Sequence, residues 1–226
     1  MAHRALNVRY LAAKVAASVE EVLTQMQNSA HSASFSDALA KGMERFHKQM
    51  TSVGVLTGIA MSPTLNSSGL TEPAAVESFL LRLIPRPKAY RSIFDGDVVA
   101  FNSPLSSSRA ADHVMVRRVA ALEGDEMVSD DPDCEPFLIP KDHAWVLADN
   151  EKLEPKEAID SRVFGPIPMQ SILGRVIYAA QSATNHGYVE NSIDAMELDA
   201  PVLEAELDMD RLLVQRSDSD DSDTSS

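Results

Sequence analysis

Two short segments of the chain hold the side chains that could take part in catalysis. The first is Gly58-Ile59-Ala60-Met61-Ser62-Pro63-Thr64-Leu65, and the second is Arg117-Arg118-Val119-Ala120-Ala121-Leu122-Glu123-Gly124-Asp125. A serine hydroxyl attacks a carbonyl only when a neighbouring base takes its proton. Arginine stays protonated in proteins and cannot be that base. The two segments therefore supply a hydroxyl and positive charge, but not a matched pair of nucleophile and base.

These segments lie in a part of the chain whose pattern predicts β-strands. From residue 53 onward, short apolar runs are separated by Pro, Gly and Ser, which is typical of strands joined by turns. The predicted strands are residues 53–59, 79–84, 97–101, 114–122, 126–129, 137–139, 144–148 and 172–179. Many short strands with turn signals indicate a mainly β domain, built as a barrel or a sandwich.

The first 50 residues have a helical pattern instead. Residues 1–19 contain three basic residues and no acidic one, with apolar side chains at helical spacing. This pattern is typical of a mitochondrial transit peptide. An amphipathic helix of the mature protein with an interfacial role would show the same pattern. The helix should continue to about Met26, and a second one is predicted over residues 37–49, with Leu39, Met43 and Phe46 on one side.

The acidity of the protein belongs mainly to its C-terminal tail. Residues 190–226 contain twelve Asp or Glu and two Arg, so they carry −10 of the net charge of −14. One helix is predicted over residues 200–214, and the low-complexity end is predicted to be disordered. The predicted organisation is therefore N-terminal targeting or amphipathic helices over 1–50, a β domain over 51–189, and an acidic tail over 190–226.

Composition also excludes several classes of function. A net charge of −14 argues against nucleic acid as a partner. Cys134 is the only cysteine, so no internal disulfide and no zinc site built on several thiolates can form. The longest uncharged run, residues 51–71, contains Pro63 and three glycines, so no transmembrane helix is predicted. We expect neither a metal ion nor a cofactor.

Four segments, in order, resemble motifs of the type I signal (leader) peptidases and their mitochondrial inner membrane protease relatives. Ala60-Met61-Ser62-Pro63-Thr64-Leu65 is similar to Ser-Met-x-Pro-Thr-Leu, and Gly96-Asp97-Val98-Val99 to Gly-Asp-[Ile/Val]-Val. Arg117-Arg118-Val119-x-x-Leu122-x-Gly124-Asp125 is similar to Lys-Arg-Val-x-Gly-Leu-Pro-Gly-Asp. Ala148-Asp149-Asn150 and Asp160-Ser161-Arg162-x-x-Gly165-Pro166 are similar to Gly-Asp-Asn and Ser-x-Asp-Ser-Arg-x-x-Gly-Pro.

The resemblance spans about residues 53–182, is greatest to plant-type mitochondrial members, and implies an all-β peptidase domain. In that family a serine hydroxyl attacks the scissile carbonyl, and a neutral, desolvated lysine takes its proton. This chain has Ala60 in place of the serine and Arg117 in place of the lysine. A serine that often orients the lysine corresponds to Ala158, and a glycine corresponds to Ala148. The motifs indicate the family and argue against its chemistry.

The other motif residues are interpreted as structural. Gly124 and Asp125 suit a tight turn, and Asp160, Ser161 and Arg162 can form a charged hydrogen-bond network below the site. The full structural set is Met61, Pro63, Gly96, Asp97, Arg118, Gly124, Asp125, Asp149, Asn150, Asp160, Ser161, Arg162, Gly165 and Pro166.

Two residues are candidates to replace the missing catalytic groups. Ser62 follows Ala60 by two positions and would point to the same side of an extended segment. A serine before Pro63 is more often a turn residue. His113 is a candidate base, but it precedes Arg117 by four residues, roughly 13 Å along a strand. It is too far from that position to replace the lysine.

The resemblance leads to one main hypothesis and two alternatives. The main hypothesis is a catalytically degenerate homologue, a structural or regulatory subunit of a mitochondrial complex associated with the inner membrane. Its partners would be proteins, and peripheral attachment would replace a membrane span. One alternative is an active serine endopeptidase that uses Ser62 and processes inner-membrane or intermembrane-space precursors. The other is a module that holds extended peptides by strand addition.

Overall fold

The computed structural model describes residues 7–28, 34–71, 75–84, 89–105, 114–128 and 135–213. The chain forms two compact units, one made of Met1–Thr51 with Ala200–Leu207 and one made of Ser52–Asp199 with the residues from Asp208 onward. His113, Cys134 and the acidic end beyond residue 213 lie outside the described residues. The domain limits drawn from the sequence stay a prediction.

The first unit contains an antiparallel helical hairpin. Helix α1 covers Val8–Asn28, and helix α2 covers Phe35–His47 with Ser34 as its N-cap. Lys41 of α2 donates to Gln25 of α1 over 2.9 Å, while Lys14 lies 5.9 Å from the ring centre of Phe46. The sequence placed the start of α2 at Asp37. It begins earlier because the Ser34 hydroxyl accepts a hydrogen bond from the backbone N–H of Ser36.

Small residues bring the two hairpin helices close together. Ala38 and Gly42 are the buried residues of α2, and a Cβ added at Gly42 would lie 2.4 Å from Val22 Cγ2. Leu39 and Met43, which the periodicity placed on one side of the helix, are instead exposed.

On α1, Ala17 packs in a small core with Met50 and Val202. The Glu206 carboxylate accepts hydrogen bonds from the backbone N–H groups of both Met50 and Thr51.

The second unit is built on a curled antiparallel sheet, which confirms the predicted mainly β class. Its strand order is β1-β2-β9-β3-β4-β7-β8, β10 pairs with β9, and β5 and β6 form a separate two-stranded sheet. The strands are β1 Thr51–Thr57, β2 Val76–Leu83, β3 Val98–Asn102, β4 Val114–Leu122, β5 Glu126–Met127, β6 Phe137–Leu138, β7 His143–Leu147, β8 Ile167–Pro168, β9 Ile172–Ala180 and β10 His186–Tyr188. The short strands β8 and β10 were not predicted.

Two clusters of apolar side chains cover the central strands. Val99 and Phe101 of β3 belong to one cluster, whereas Val98 and Ala100 belong to the other. Successive side chains of a strand point to opposite faces, so both faces of β3 are buried. The backbone of β4 is paired with β3 and β7 along its length, which fixes its arginines in register: Arg117 lies opposite Val99, and Arg118 lies opposite Val98.

A close backbone contact holds β2 against β9. The register of this pair shifts between Leu80 and Leu81. A Cβ added at Gly174 would lie 2.1 Å from the carbonyl oxygen of Arg82, so only glycine fits at this position of β9.

Four short or late helices complete the second unit and the C-terminal segment. They are α3 Ala89–Ser92, α4 Pro155–Ala158, α5 Ser161–Phe164 and α6 Ile193–Glu206. The sequence predicted the last helix over 200–214, with its start next to Pro201. In fact α6 begins before that proline and continues through it, and a further helical turn covers residues 209–213.

Candidate functional site

Ala60 lies in the loop that follows β1. Two hydrogen bonds from Asn150 fix this loop: its backbone N–H donates to the Ala60 carbonyl over 3.0 Å, and its side-chain amide donates to the Ile59 carbonyl over 3.0 Å. Asn150 therefore determines where the Ala60 side chain lies. Met61, the next residue, is buried in the core, and a cis peptide bond joins Ser62 to the exposed Pro63.

Asn66 and Glu77 hold the other end of the same loop. Asn66 has a positive φ of 53° and donates its side-chain amide to the carbonyls of Gly58 and Ala75. Its backbone N–H donates to the buried Glu77 carboxylate. Burial raises the pKa of Glu77, although this hydrogen bond opposes the shift. Neither residue is predicted as a site residue from the sequence, where the available signal is an acid inside the apolar run of β2.

Arg117 extends from β4 beneath this loop. It is 7% exposed, and its guanidinium donates to the carbonyl oxygens of Val116 and Ala158. Burial lowers the pKa of Arg117, and the charges of Asp160 and Asp149 oppose that shift. Within the described ranges, no carboxylate lies within ion-pair distance of this guanidinium, and its Nε has no hydrogen-bond partner.

Ala60 and Arg117 line one cavity of about 350 Å³. We call it the Ala60–Arg117 cavity; its walls are residues 56–61 on one side and Arg117, Leu153 and Glu157 on the other. The two substituted positions are thus brought together in space. A methyl group offers no nucleophile, and a guanidinium is not a general base. This pair of side chains cannot carry out serine–lysine chemistry.

Ser62 does not line this cavity. Its side chain is 2% exposed, and its Oγ has no hydrogen-bond partner in the described structure. A nucleophile needs both a base within hydrogen-bond reach and access to the substrate. Ser62 has neither among the residues that the structure places, and His113 lies outside them.

Arg118 connects its own strand to the motif segments around Thr64, Gly96 and Asp149. Its Nε and Nη2 donate to the two oxygens of Asp149 over 2.9 and 2.7 Å, and Nη1 donates to the Gly96 carbonyl over 2.6 Å. A weaker contact of 3.4 Å reaches the Thr64 hydroxyl, and Nη1 also donates to the Glu190 carbonyl. A bidentate guanidinium–carboxylate pair is both strong and directional. It aligns the loop after β1, the turn before β3, and the end of β7.

Asp160, Ser161 and Arg162 form a second network below the site. Asp160 is the N-cap of α5 and accepts hydrogen bonds from the backbone N–H of Ala148 and from Arg162. Burial alone would raise the pKa of Asp160, but these hydrogen bonds hold it below its ordinary value. The Ser161 hydroxyl accepts the N–H of Val146 over 2.9 Å. Gly165 caps the end of α5, and Pro166 leads into β8.

A third network surrounds Asp97. Arg175 donates to Asp97 over 2.7 Å and to Asp199 over 2.7 Å, and all three side chains are buried. Ser192 also donates to Asp97 through its hydroxyl. The sequence analysis singled out Asp97 but missed its partners. The signal for Arg175 was a single charge within the otherwise apolar run of β9.

Gly124 and Asp125 form the turn between β4 and β5. The Asp125 N–H donates to the Leu122 carbonyl over 3.0 Å, and the Asp125 carboxylate accepts the Leu122 N–H over 2.7 Å. Gly124 has a φ of 88° at this turn. These residues lie at the far end of β4 from Arg117.

The described residues contain neither a membrane-spanning helix nor a cluster of metal ligands. No described helix combines the length and the apolar character that crossing a membrane requires. In the same ranges, no group of three or more His, Cys, Asp or Glu side chains could hold a metal ion.

Comparison with curated proteins gives several relatives. The chain is 42% identical over 167 residues to the mitochondrial ATP-independent inner membrane protease subunit 2 of Arabidopsis thaliana, covering 74% of this chain and 76% of that protein. It is 31% identical over 140 residues to the mitochondrial inner membrane protease subunit 1 of Schizosaccharomyces pombe, covering 62% and 79%. The mouse (Mus musculus) subunit 1 is 26% identical over 144 residues, covering 62% and 75%. No protein-family model matches the chain.

Proposed function

The chain belongs to the mitochondrial inner membrane protease branch of the signal peptidase family, and from this premise we propose that it is a catalytically degenerate member. It serves as a structural or regulatory subunit of a protein complex associated with the mitochondrial inner membrane. The observation that carries this proposal is the pairing of Ala60 with Arg117 at one cavity. One residue removes the nucleophile, and the other removes the base.

The hydrogen bonds that hold the site in place support a role in binding or assembly rather than in catalysis. Asn150 fixes the loop at Ala60, and Arg118 joins the segments around Thr64, Gly96 and Asp149. These contacts stabilise a peptidase-like site whose reactive groups are gone. Names of the relatives include the word subunit, which supports assembly with other proteins.

An assay of peptide cleavage tests the proposal. Purified protein and its Ser62→Ala variant are incubated with a pool of unstructured peptides, and products are followed by mass spectrometry. We expect no turnover from either protein. Cleavage that disappears in Ser62→Ala would favour the alternative of an active endopeptidase. Affinity purification from mitochondria, with identification of the co-purifying proteins, tests the subunit role separately.

The helical hairpin supports peripheral attachment to a membrane. Six apolar side chains of α1, spaced by three or four residues, are between 37% and 79% exposed: Val8, Leu11, Val15, Val19, Leu23 and Met26. On α2, Phe35, Leu39 and Met43 repeat every four residues and are also exposed. In an antiparallel pair joined through Gly42, these two stripes lie on the same side. We call this surface the hairpin face.

Charge favours a lipid surface as the occupant of the hairpin face. Residues 1–48 contain six Lys or Arg and four Asp or Glu, a net charge of +2, whereas the rest of the chain carries −16. An anionic bilayer would attract the hairpin and repel the remainder, and exposed apolar stripes of this size mark membrane or protein contacts.

Sedimentation with vesicles tests this attachment. We expect the protein to bind vesicles of phosphatidylcholine containing an anionic phospholipid, and the double variant Val15→Asp/Leu23→Asp to lose most of that binding. Val128→Asp/Leu138→Asp puts the same two charges at exposed apolar positions of the second unit and should bind like the wild type. Equal binding by all three proteins, or none by the wild type, would contradict attachment through the hairpin face.

A further inference from the structure

The Ala60–Arg117 cavity contains a buried cation that forms no ion pair within the described structure. The Arg117 guanidinium has five N–H donors, and the described structure gives it two acceptors, the carbonyls of Val116 and Ala158. A carbonyl oxygen supplies a dipole but not a negative charge. Removing a cation from water is costly unless an anion faces it. The cavity therefore has the electrostatic character of an anion site.

The two acids whose charges oppose the lowering of the Arg117 pKa already have other partners. Asp149 accepts two hydrogen bonds from Arg118, and Asp160 accepts two from the side chain of Arg162. Each pair is bidentate, so neither carboxylate is free to turn towards Arg117. The third acid of the neighbourhood is Glu157, an exposed residue at the cavity wall that forms no ion pair with Arg117 in the described structure.

The position of the cavity suggests which anion it takes. In a peptidase of this family the carbonyl under attack must lie within reach of both the side chain at position 60 and the one at position 117. A carboxylate at the end of a peptide would occupy the same place. A guanidinium pairs with a carboxylate through two parallel hydrogen bonds. Ala60 leaves room beside it, and Leu56, Ile59 and Leu153 offer apolar contacts to the last side chain.

We propose that the Ala60–Arg117 cavity binds the C-terminal carboxylate of a peptide, with the Arg117 guanidinium as its counter-ion. The protein thereby binds peptides whose C-terminus lies in this cavity, such as the N-terminal product of a cleavage, in preference to uncut chains. This inference rests on the proposed absence of peptidase chemistry, because it uses the permanent charge of Arg117 where that chemistry needs a neutral base. Arg117 then contributes to ligand binding, in addition to removing the catalytic base.

Fluorescence anisotropy with paired peptides tests the proposal. The probes are N-terminally labelled heptapeptides whose last residue is Ala, Leu, Phe or Asn, each made as the free acid and as the C-terminal amide. We expect at least one free acid to bind the full-length protein roughly tenfold more tightly than its amide, as one charge-assisted pair provides. Equal affinity for acids and amides, or no binding of any probe, would overturn the proposal.

Variants then identify the residue responsible. Arg117→Met keeps much of the side-chain volume and should remove the preference for the free acid. The matched control Arg91→Met removes an exposed guanidinium of α3 and should leave the preference unchanged. Because Arg117→Met alters a buried position, Glu157→Gln provides a second test at an exposed one. We expect it to strengthen free-acid binding several-fold by removing a nearby negative charge.

The two proposals fail in different ways. Mass spectrometry of the same samples reports any cleavage of the probes, and cleavage would overturn the proposed absence of catalysis. A preference for free acids that persists in Arg117→Met would overturn the carboxylate assignment while the protein remains without turnover.

Discussion

At the scale of single residues, the site combines buried charges with opposite responses to pH. Asp160 accepts several hydrogen bonds in its ionised form, and its pKa is held below the ordinary value despite burial. Glu77 has one backbone donor, and burial raises its pKa. The number of donors around each carboxylate therefore decides which effect dominates.

We expect Asp160→Asn to destabilise the protein at neutral pH. The carboxylate caps α5 and pairs with Arg162, so its loss should cost about 2–4 kcal/mol. A carboxyl group whose pKa is lowered on folding contributes stability above its unfolded pKa and loses it as pH falls through the folded pKa. Urea denaturation at pH 7 and at pH 3 should show that the gap in the free energy of unfolding between variant and wild type is smaller in acid. Asp95→Asn, at an exposed turn, is the control, and an equal gap at both pH values would contradict the assignment.

Glu77→Gln should act in the opposite direction. A carboxyl group with a raised folded pKa contributes stability below its unfolded pKa and loses it as pH rises through the folded value. Gln keeps an acceptor for the Asn66 N–H but carries no charge at neutral pH. The free energy of unfolding of the variant should therefore rise by up to about 1 kcal/mol relative to wild type between pH 5 and pH 8. Denaturation across that range measures it, and a variant that becomes relatively less stable as pH rises would contradict the sign.

At the scale of elements, the sequence predicts the sheet well where apolar runs are long. The limits of β4 match the prediction, and β9 differs by one residue. Short pieces such as β8 and β10 were missed because two or three residues carry no periodicity. The sequence also places the start of the last helix at residue 200, whereas α6 begins at Ile193 and Pro201 lies inside it.

Local sequence patterns also limit how much of the candidate site can be predicted. The resemblance implies that positions 60 and 117 lie close together, and Ala60 and Arg117 line the same cavity. The partners Arg175 and Asp199, or Asn66 and Glu77, come from different parts of the fold. Local sequence holds no record of such pairings, because they depend on the three-dimensional path of the chain.

Gly174→Ala should severely destabilise the β2–β9 pair. The added methyl group would lie 2.1 Å from the Arg82 carbonyl oxygen, and backbone on both strands cannot move without breaking the sheet. We expect a loss of about 3 kcal/mol or more in the free energy of unfolding. Gly187→Ala is the matched control, since its added Cβ meets nothing within 4 Å. Similar unfolding midpoints for the two variants would show that β9 adapts more freely than the contact implies.

At the scale of the whole molecule, three polar side chains support the segments that carry Ala60 and Arg117. Arg118, Asn150 and Asp160 each join segments that are far apart in sequence. Such networks stabilise the unit whether or not chemistry occurs above them. Their retention means that the loop at Ala60 and the strand at Arg117 stay aligned.

Restoring the dyad tests whether that alignment is still catalytic. In Ala60→Ser/Arg117→Lys a hydroxyl and a buried amine would face the same cavity, and burial favours the neutral amine that a base requires. Residues of a catalytic unit act together, so each single variant should remain inactive while the double variant cleaves peptides at least ~100-fold faster than wild type. Adding Ala158→Ser, which puts a side-chain hydroxyl on the residue whose backbone carbonyl accepts from Arg117, should increase the rate further. The readout is product formation by mass spectrometry, with thermal unfolding as the check that each variant is folded. Folded but inactive double and triple variants would mean that the scaffold has moved away from catalytic geometry as well as losing its side chains.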